Sequence, residues 1–502
     1  MTTRSSSAGL IEDPLIERLL AVPESTWFDV KRVGPKNDRK LETIIALANA
    51  EGGYLILGVE DAAKAKGRDR LIGIGENPES VDDLRRLLAS RCTPPLLPPH
   101  CEAPEFRSIS CNLRDGSVGE IVVVRVRKSS AVHSLVDGGT FVRLGSSNRQ
   151  LSAAEIADLS LRRGTISYVT QTTDVSPDLL ETDHWRAYAA SRKLTRPRME
   201  AMEHIGLLKR EGDKLKATRA AVLLFAEYPA DLLDCKASIR LFHYRGDSIE
   251  HGPSTNLARR PVTIDGPLAV QIERAKQALL DALATGVRVG PLGFEIAQAY
   301  PVRVLSEAIT NAVLHRDYRV AADIHIRVFD NRVEVESPGL LPGPVTWTNI
   351  GEIGSHPRNR ALVNHLRDFP NPPNLDAGEG VRMMQETMAR ASLYPPRYLR
   401  GLAEESVVVR LLNLAKPSVW DQVVEYVRAN GLIGNAEVRK LLQTDNPLRA
   451  SKQLRAWMEA GLLEVDNPES GKRSRRYRLP EQQGSPVLND LFPTAKKTTG
   501  DL

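Results

Sequence analysis

Glu307 and Asn311 lie four residues apart in Glu307-Ala308-Ile309-Thr310-Asn311, followed at once by Ala312-Val313-Leu314-His315-Arg316-Asp317-Tyr318. A spacing of one helical turn puts the carboxylate and the carboxamide on one face. A glutamate so placed can orient or deprotonate a water, and an amide oxygen is a fit ligand for a hard cation such as Mg2+. That is equipment for holding a nucleoside triphosphate. The plainer alternative is an amphipathic helix that buries Val304, Leu305, Ala308, Ile309, Ala312 and Val313 and leaves the two polar residues in solvent.

The residues downstream favour the first reading. Ile324-His325-Ile326-Arg327-Val328-Phe329 and Arg332-Val333-Glu334-Val335-Glu336 alternate as strands do, with Asp330-Asn331 as a hairpin turn between them. Ser337-Pro338-Gly339 follows, and Gly378-Glu379-Gly380 precedes a helix. Gly471-Lys472 does not make a phosphate-binding loop of the Walker kind, because Asp466 stands where the leading glycine belongs and Arg473 where Ser or Thr should follow.

A second set of chemically apt residues sits near the start of the chain. Asp29 and Lys31 point to one face of a strand by period two, and a metal-holding carboxylate beside an ammonium suits phosphodiester cleavage. The plainer reading of that pair is a surface ion pair worth little. A helix over 39–49 and a nearly continuous apolar strand, Tyr54-Leu55-Ile56-Leu57-Gly58-Val59, are expected after it. Lys31, Arg32, Lys36, Arg39, Lys40, Arg143 and Arg149 are candidate nucleic-acid contacts.

A third set closes the chain. Three helices are expected between 418 and 460, the second capped by Asn435 and the third running over 446–460 until Gly461 ends it. A hairpin follows, so 416–480 reads as a winged helix-turn-helix. Arg449, Lys452 and Arg455 are exposed on its recognition helix, and Lys472, Arg473, Arg475 and Arg476 make a basic wing. The alternative use of such a module is dimer or protein contact.

With 502 residues, 41% of them hydrophobic and 26% charged, the chain reads as a soluble multidomain protein. A net charge of +5 is modest for that length, so a nucleic-acid surface must come from local clustering. No apolar run is long enough to span a membrane, no signal peptide is evident, and the four cysteines show neither metal spacing nor a disulfide framework. A cytoplasmic location is expected.

The order of motifs over 301–396 resembles the GHKL (histidine-kinase-like) ATPase domain found beside Schlafen AlbA-type domains in bacterial proteins. The resemblance implies ATP and Mg2+ as cofactors, Glu307 as the water-orienting base and Asn311 as the magnesium ligand. Ser337 and Gly339 would lie beside the base pocket, and Gly378 and Gly380 would let backbone amides approach phosphates. The chain departs from the wider superfamily's Asp-x-Gly-x-Gly loop, whose aspartate recognises adenine, by reading Glu336-Ser337-Pro338-Gly339 there.

The N-terminal region resembles the Schlafen AlbA-type domain. Its nuclease members gather carboxylates around a divalent metal to cut RNA, which implies that role for Glu24, Asp29 and Asp61 with Lys31 beside them.

The expected architecture is α+β and multidomain. It comprises an AlbA-type α/β domain at 8–163, a connector at 164–235, a GHKL-like α/β sandwich at 236–400, the winged helix at 416–480 and a disordered tail at 481–502. The expected function is ATP-responsive DNA binding as a transcriptional regulator, with RNA as a further partner of the AlbA-type domain and a homo-oligomer as the assembly. The competing expectation is a Schlafen-like metal-dependent endonuclease acting on transfer RNA or phage nucleic acid in antiviral defence.

Overall fold

The computed structural model describes residues 13–233, 235–250, 255–290, 293–298, 300–373, 380–401, 405–417, 419–467, 471 and 475–480. Gly378, Lys472 and Arg473, together with the tail at 481–502, lie outside the described residues. The chain divides into two compact units, one formed by 1–160 with 418–502 and the other by 161–417.

In the first unit, β1 (Phe28–Lys31), α1 (Asp38–Asn49), β2 (Gly52–Leu57), β3 (Glu105–Asn112) and β4 (Val118–Arg127) build a mixed sheet in the order β1-β2-β4-β3. Only β1 and β2 run parallel. Strand β2 is apolar on consecutive residues because both faces of the sheet are covered. Leu55 and Leu57, with Val122, Val124 and Val126, meet Leu41, Ile44, Ile45, Leu47 and Ala48 of α1. Tyr54 and Ile56, with Ile121 and Val123, pack on Ile16 and Leu19. Each fully buried aliphatic side chain contributes about 1.5–3 kcal/mol. Gly53 has φ +154°, and a Cβ there would overlap the Trp27 backbone, so only glycine lets β2 lie so close to the residue before β1. A hairpin, β5 (Phe141–Leu144) and β6 (Ser147–Gln150), packs beside α1.

Helix α2 (Ala153–Arg163) leads into the second unit. There α3 (Arg219–Phe225) is buried from Ala220 to Phe225, with Thr218 accepting from the Ala221 amide as its N-cap. The sheet of this unit takes β7 (Ile239–His243), β8 (Val262–Ile264), β9 (Ile324–Val328), β10 (Arg332–Pro338), β11 (Arg397–Arg400) and β12 (Ser406–Leu412) in the order β8-β7-β9-β10-β12-β11. Helices α4 (Leu268–Leu283), α5 (Val302–His315) and α7 (Gly380–Arg390) share its core, as does α6 (Arg360–Leu366). The expected connector belongs to the same core, which runs without a break from Val169 through Leu223 and Phe225 to Val335 and Leu411.

Period two explains the sheet's two faces. Ile324, Ile326, Val328, Val333 and Val335 turn into the core, whereas Arg327 pairs with Glu336 at 2.6 Å, and Arg332 and Arg410 pair with Glu334 at 2.7 and 2.9 Å.

The chain closes in the first unit with α8 (Trp420–Asn430), α9 (Asn435–Leu441), α10 (Pro447–Glu459) and a short antiparallel pair, β13 (Glu464–Val465) with β14 (Tyr477–Arg478). Trp420 and Trp457 meet with ring centroids 5.1 Å apart. Gly434, not Asn435, occupies the N-cap of α9, where the Glu437 carboxylate accepts from the Gly434 amide at 2.9 Å. Asn446 caps α10 by accepting from the Leu448 and Arg449 amides. Among the described residues no helix is long and apolar enough to cross a membrane.

Candidate nucleotide pocket

Helix α5 carries Arg303, Glu307, Asn311 and His315 at successive intervals of four, so they form one row, and all four line a pocket of about 720 Å³ in the second unit. The Asn311 amide donates to Glu307 Oε1 at 3.0 Å. That bond fixes the carboxamide and leaves its oxygen, the atom that suits a hard cation, uncommitted. Burial pushes the Glu307 carboxyl above its ordinary value, opposed in part by the Asn311 hydrogen bond and by Arg303.

Gly380 begins α7 against this pair. A Cβ at that position would overlap the Glu307 carboxylate as it stands and lie 3.5 Å from the Asn311 amide nitrogen, so glycine lets α7 begin against this pair without displacing the glutamate side chain. Arg382 and Arg390 of α7 also line the pocket. The first turn of a helix with its free amides, together with Arg303 and Arg382, thus lies at the Glu307–Asn311 end, an arrangement that favours anions.

The other end is apolar. Val335, Leu340, Leu341, Val345, Ile350 and Ile353 line it, beside Ser337 and Gly339. Gly339 has φ +104°, and a Cβ there would come within 2.6 Å of the Asp317 Cβ. Ser337 lies on the pocket side of β10 and donates to the Ala312 carbonyl of α5 at 2.7 Å. Glu336, one residue earlier, faces the opposite side of the sheet, held by Arg327 and by a hydrogen bond from Ser406 Oγ.

The rim is tied by Arg358. Its buried guanidinium donates to the carbonyls of His315, Leu340 and Arg162 and pairs with Asp317 at 3.4 Å. Burial alone would raise Asp317, but Arg319 and Arg358 outweigh it and hold the carboxyl below its ordinary value. His315, Arg303, Arg382 and Arg358 were not assigned from sequence, although the four-residue ladder through Glu307 and Asn311 marks the first two.

The N-terminal set is arranged differently. Asp29 is fully buried and is bound by Lys31 Nζ at 2.8 Å and by Arg143 Nη1 at 3.2 Å. Glu24 and Asp61 are close enough for their charges to matter. Burial, then Asp29, then Asp61 push the Glu24 carboxyl upward against Lys31 and Arg143. Among the described residues, however, no three His, Cys, Asp or Glu side chains are grouped so as to hold a metal ion.

Two expected nucleic-acid contacts are corrected by burial. The Arg143 guanidinium is sealed in, donating to Asp29, Asn148 and the carbonyls of Ser25 and Phe28. Lys40 is also buried, and its ammonium is satisfied by Asn37, Ser80 and the carbonyls of Gly34 and Lys36. Neither can reach a phosphate without abandoning those partners. Lys36 and Arg39 are exposed, Arg32 pairs with Glu76 at 2.5 Å, and Arg149 pairs with Glu155 at 2.7 Å.

In the C-terminal part, Arg449, Lys452 and Arg455 are exposed on α10 while Ala450, Leu454 and Trp457 are buried. Arg476 pairs with Glu437 at 2.8 Å, and Arg475 is half-buried.

The fold is thus mixed α/β with a nucleotide-sized pocket between a helix pair and a six-stranded sheet. Two family models match the chain. "Schlafen, AlbA_2" matches residues 24–152, and "Putative ATP-dependent DNA helicase recG C-terminal" matches residues 321–411. The chain therefore carries a Schlafen AlbA_2 domain and an ATPase-like domain of the recG C-terminal type. Among curated proteins none matches. The crystal structure of the DIP2311 protein from Corynebacterium diphtheriae aligns over 95% of this chain and 96% of that one, at 19% identity and a TM-score of 0.40.

Proposed function

We propose that this chain binds ATP with Mg2+ in the pocket on α5 and binds DNA through a C-terminal winged helix, acting as a nucleotide-responsive transcriptional regulator. The observation that carries the reading is the meeting of Glu307, Asn311 and Gly380. A half-buried carboxylate with no ion pair among the described residues stands beside a fixed carboxamide, at the start of a helix whose first residue, a glycine, leaves room for it. In this reading, which treats the ATPase-like domain as GHKL-like, Asn311 Oδ1 holds the cation and Glu307 orients the attacking water. Arg303 and Arg382 offset phosphate charge, and the metal supplies further charge neutralisation when bound.

Three helices followed by a strand pair, with Arg449, Lys452 and Arg455 on the open face of the third helix, support the winged-helix assignment. RNA contact by the AlbA_2 domain and self-association extend the same reading. Regulation then requires ATP to bind two conformations of the chain with different affinity. The endonuclease reading has less support, because Asp29 is already neutralised by two cations and would have to shed one to ligate a metal.

The test is calorimetric titration of the full chain with ATP and Mg2+. Asn311→Ala should lose most of the Mg2+-dependent affinity while keeping its melting temperature. Equal affinity in the two proteins would sink the assignment.

A further inference from the structure

We propose that Leu448, on the exposed face of α10, packs against the 5-methyl group of a thymine in the major groove and so fixes one position of the DNA sequence this chain prefers. The inference rests on the winged-helix reading above and adds to it a base that the third helix selects.

A helix turns by about 100° per residue, so a separation of nine residues is about two and a half turns and puts two side chains on opposite sides. Leu448 precedes the buried Trp457 by nine positions and points away from the packed face, where it is 77% exposed. Lys452 and Arg455, four and seven residues further on, share its direction, and Arg449 and Ser451 flank it.

A single exposed leucine needs no explanation on most surfaces. This one differs in its support and in its company. Asn446 Oδ1 accepts from the Leu448 and Arg449 amides at 2.9 and 3.4 Å. The Asn435 amide of α9 donates to the Pro447 carbonyl at 2.9 Å and to Ser451 Oγ at 2.8 Å. The first turn is pinned on both sides of Leu448, which fixes the direction in which its side chain leaves the backbone.

Charge decides what meets this face. Arg449, Lys452 and Arg455 are exposed and make no ion pair among the described residues, and the one acid of α10, Glu459, stands at its last position. Protein interfaces are depleted of charge at their centres. A lone leucine among three cations gives a protein partner no apolar patch to cover. It suits a polyanion that presents an isolated apolar group between its phosphates. The major groove of DNA has one such group, the thymine methyl, and otherwise offers base-edge donors and acceptors that an aliphatic chain cannot answer. The residues that open a recognition helix come nearest the base edges, and Leu448 is the second residue of α10.

The experiment uses the full chain and a duplex that it enriches from a randomised pool. Each thymine of that duplex is replaced in turn by uracil, which removes only the methyl, and affinity is read by fluorescence anisotropy. Wild type should lose about three- to fivefold at one thymine for each bound α10, and less than about twofold at the others. Leu448→Ala should bind the thymine duplex about three- to tenfold more weakly and should no longer distinguish uracil from thymine at that position. Its melting temperature and its salt slope should match wild type, because the side chain is exposed and uncharged. Leu448→Met, which keeps a long apolar chain, should retain most of the difference.

Uracil tolerated at every position by wild type, a pool from which no sequence is enriched, or a thymine-to-uracil difference that survives in Leu448→Ala would overturn the inference while leaving DNA binding intact. If wild type binds no duplex at all, the regulator reading has failed and takes this one with it.

Discussion

Two carboxylates, the fully buried Asp29 in the first unit and the half-buried Glu307 in the second, both read from sequence as reactive, and their surroundings separate them. Asp29 has Lys31 at 2.8 Å and Arg143 at 3.2 Å, and its removal would strand a buried guanidinium. Glu307 has a carboxamide at 3.0 Å, and burial raises its pKa. A carboxylate that is paired and fully bonded holds a fold together. One that is kept charged at a cost, beside open space, is held for a ligand or a proton.

The largest expected effect tests Glu307 as a base. Glu307→Gln should lower nucleotide hydrolysis by about 10² to 10⁴-fold with a smaller change in affinity, measured by phosphate release under saturating ATP. Hydrolysis by wild type should also fall as pH drops through a value above that of an ordinary glutamate, since the deprotonated form does the work. The same raised pKa gives the opposite sign for stability. A carboxyl with a raised folded-state pKa contributes stability at low pH that is lost as pH rises through that value, so at pH 7 Glu307→Gln should be neutral or stabilising in a thermal melt. A marked loss of stability would place Glu307 in the same class as Asp29.

Asp29→Ala sharpens the contrast from the other side. It leaves Arg143 buried without its carboxylate and should cost about 3–5 kcal/mol of stability, read from denaturant unfolding of the first unit. The endonuclease reading expects instead a well-folded protein that has lost metal-dependent RNA cleavage. A variant that melts like wild type but no longer cuts would reverse the assignment of this residue.

Gly380→Ala is the next step down. Its methyl group overlaps the Glu307 carboxylate, so the carboxylate must leave Asn311 or α7 must shift, at about 1–3 kcal/mol. ATP affinity should fall more than stability does, because the displacement is centred on the phosphate end. Unchanged affinity would mean that α7 does not approach the ligand.

What could be read from sequence divides along the range of the interactions. The Glu307–Asn311 pairing and the strands on either side of Asp330-Asn331 depend on residues a few positions apart, and periodicity exposes them. Arg143 is different, since its partner Asp29 lies 114 positions earlier, and nothing local distinguishes a buried arginine from a phosphate-binding one. Lys40 was hidden in the same way by Ser80, 40 positions on. Period two along β10 did contain the fact that Glu336 and Ser337 face opposite sides. The ladder Arg303, Glu307, Asn311, His315 was equally legible, although only its middle two members were assigned.

The smallest effect concerns cations, and it repeats the comparison with the sign of charge reversed. Arg449, Lys452 and Arg455 are exposed on α10 with no ion pair among the described residues, whereas Arg476 is tied to Glu437 and Arg478 to Glu464 at 2.5 Å. An unpaired cation that meets a phosphate releases a counterion and adds about 0.9 to the slope of log affinity against log salt. A paired one must first give up its carboxylate and contributes less. Replacing Arg449 and Lys452 together by alanine should lower that slope by about one to two units on any duplex, while Arg476→Ala should change it by less than about one. Where either of the first two reaches a base edge, sequence preference should also relax, by about 1–3 kcal/mol per lost contact. Fluorescence anisotropy with a salt titration, on a preferred and a scrambled duplex, separates the two effects. Identical slopes in wild type and the Arg449/Lys452 variant would show that α10 meets protein rather than DNA, and the regulator reading would lose its main support.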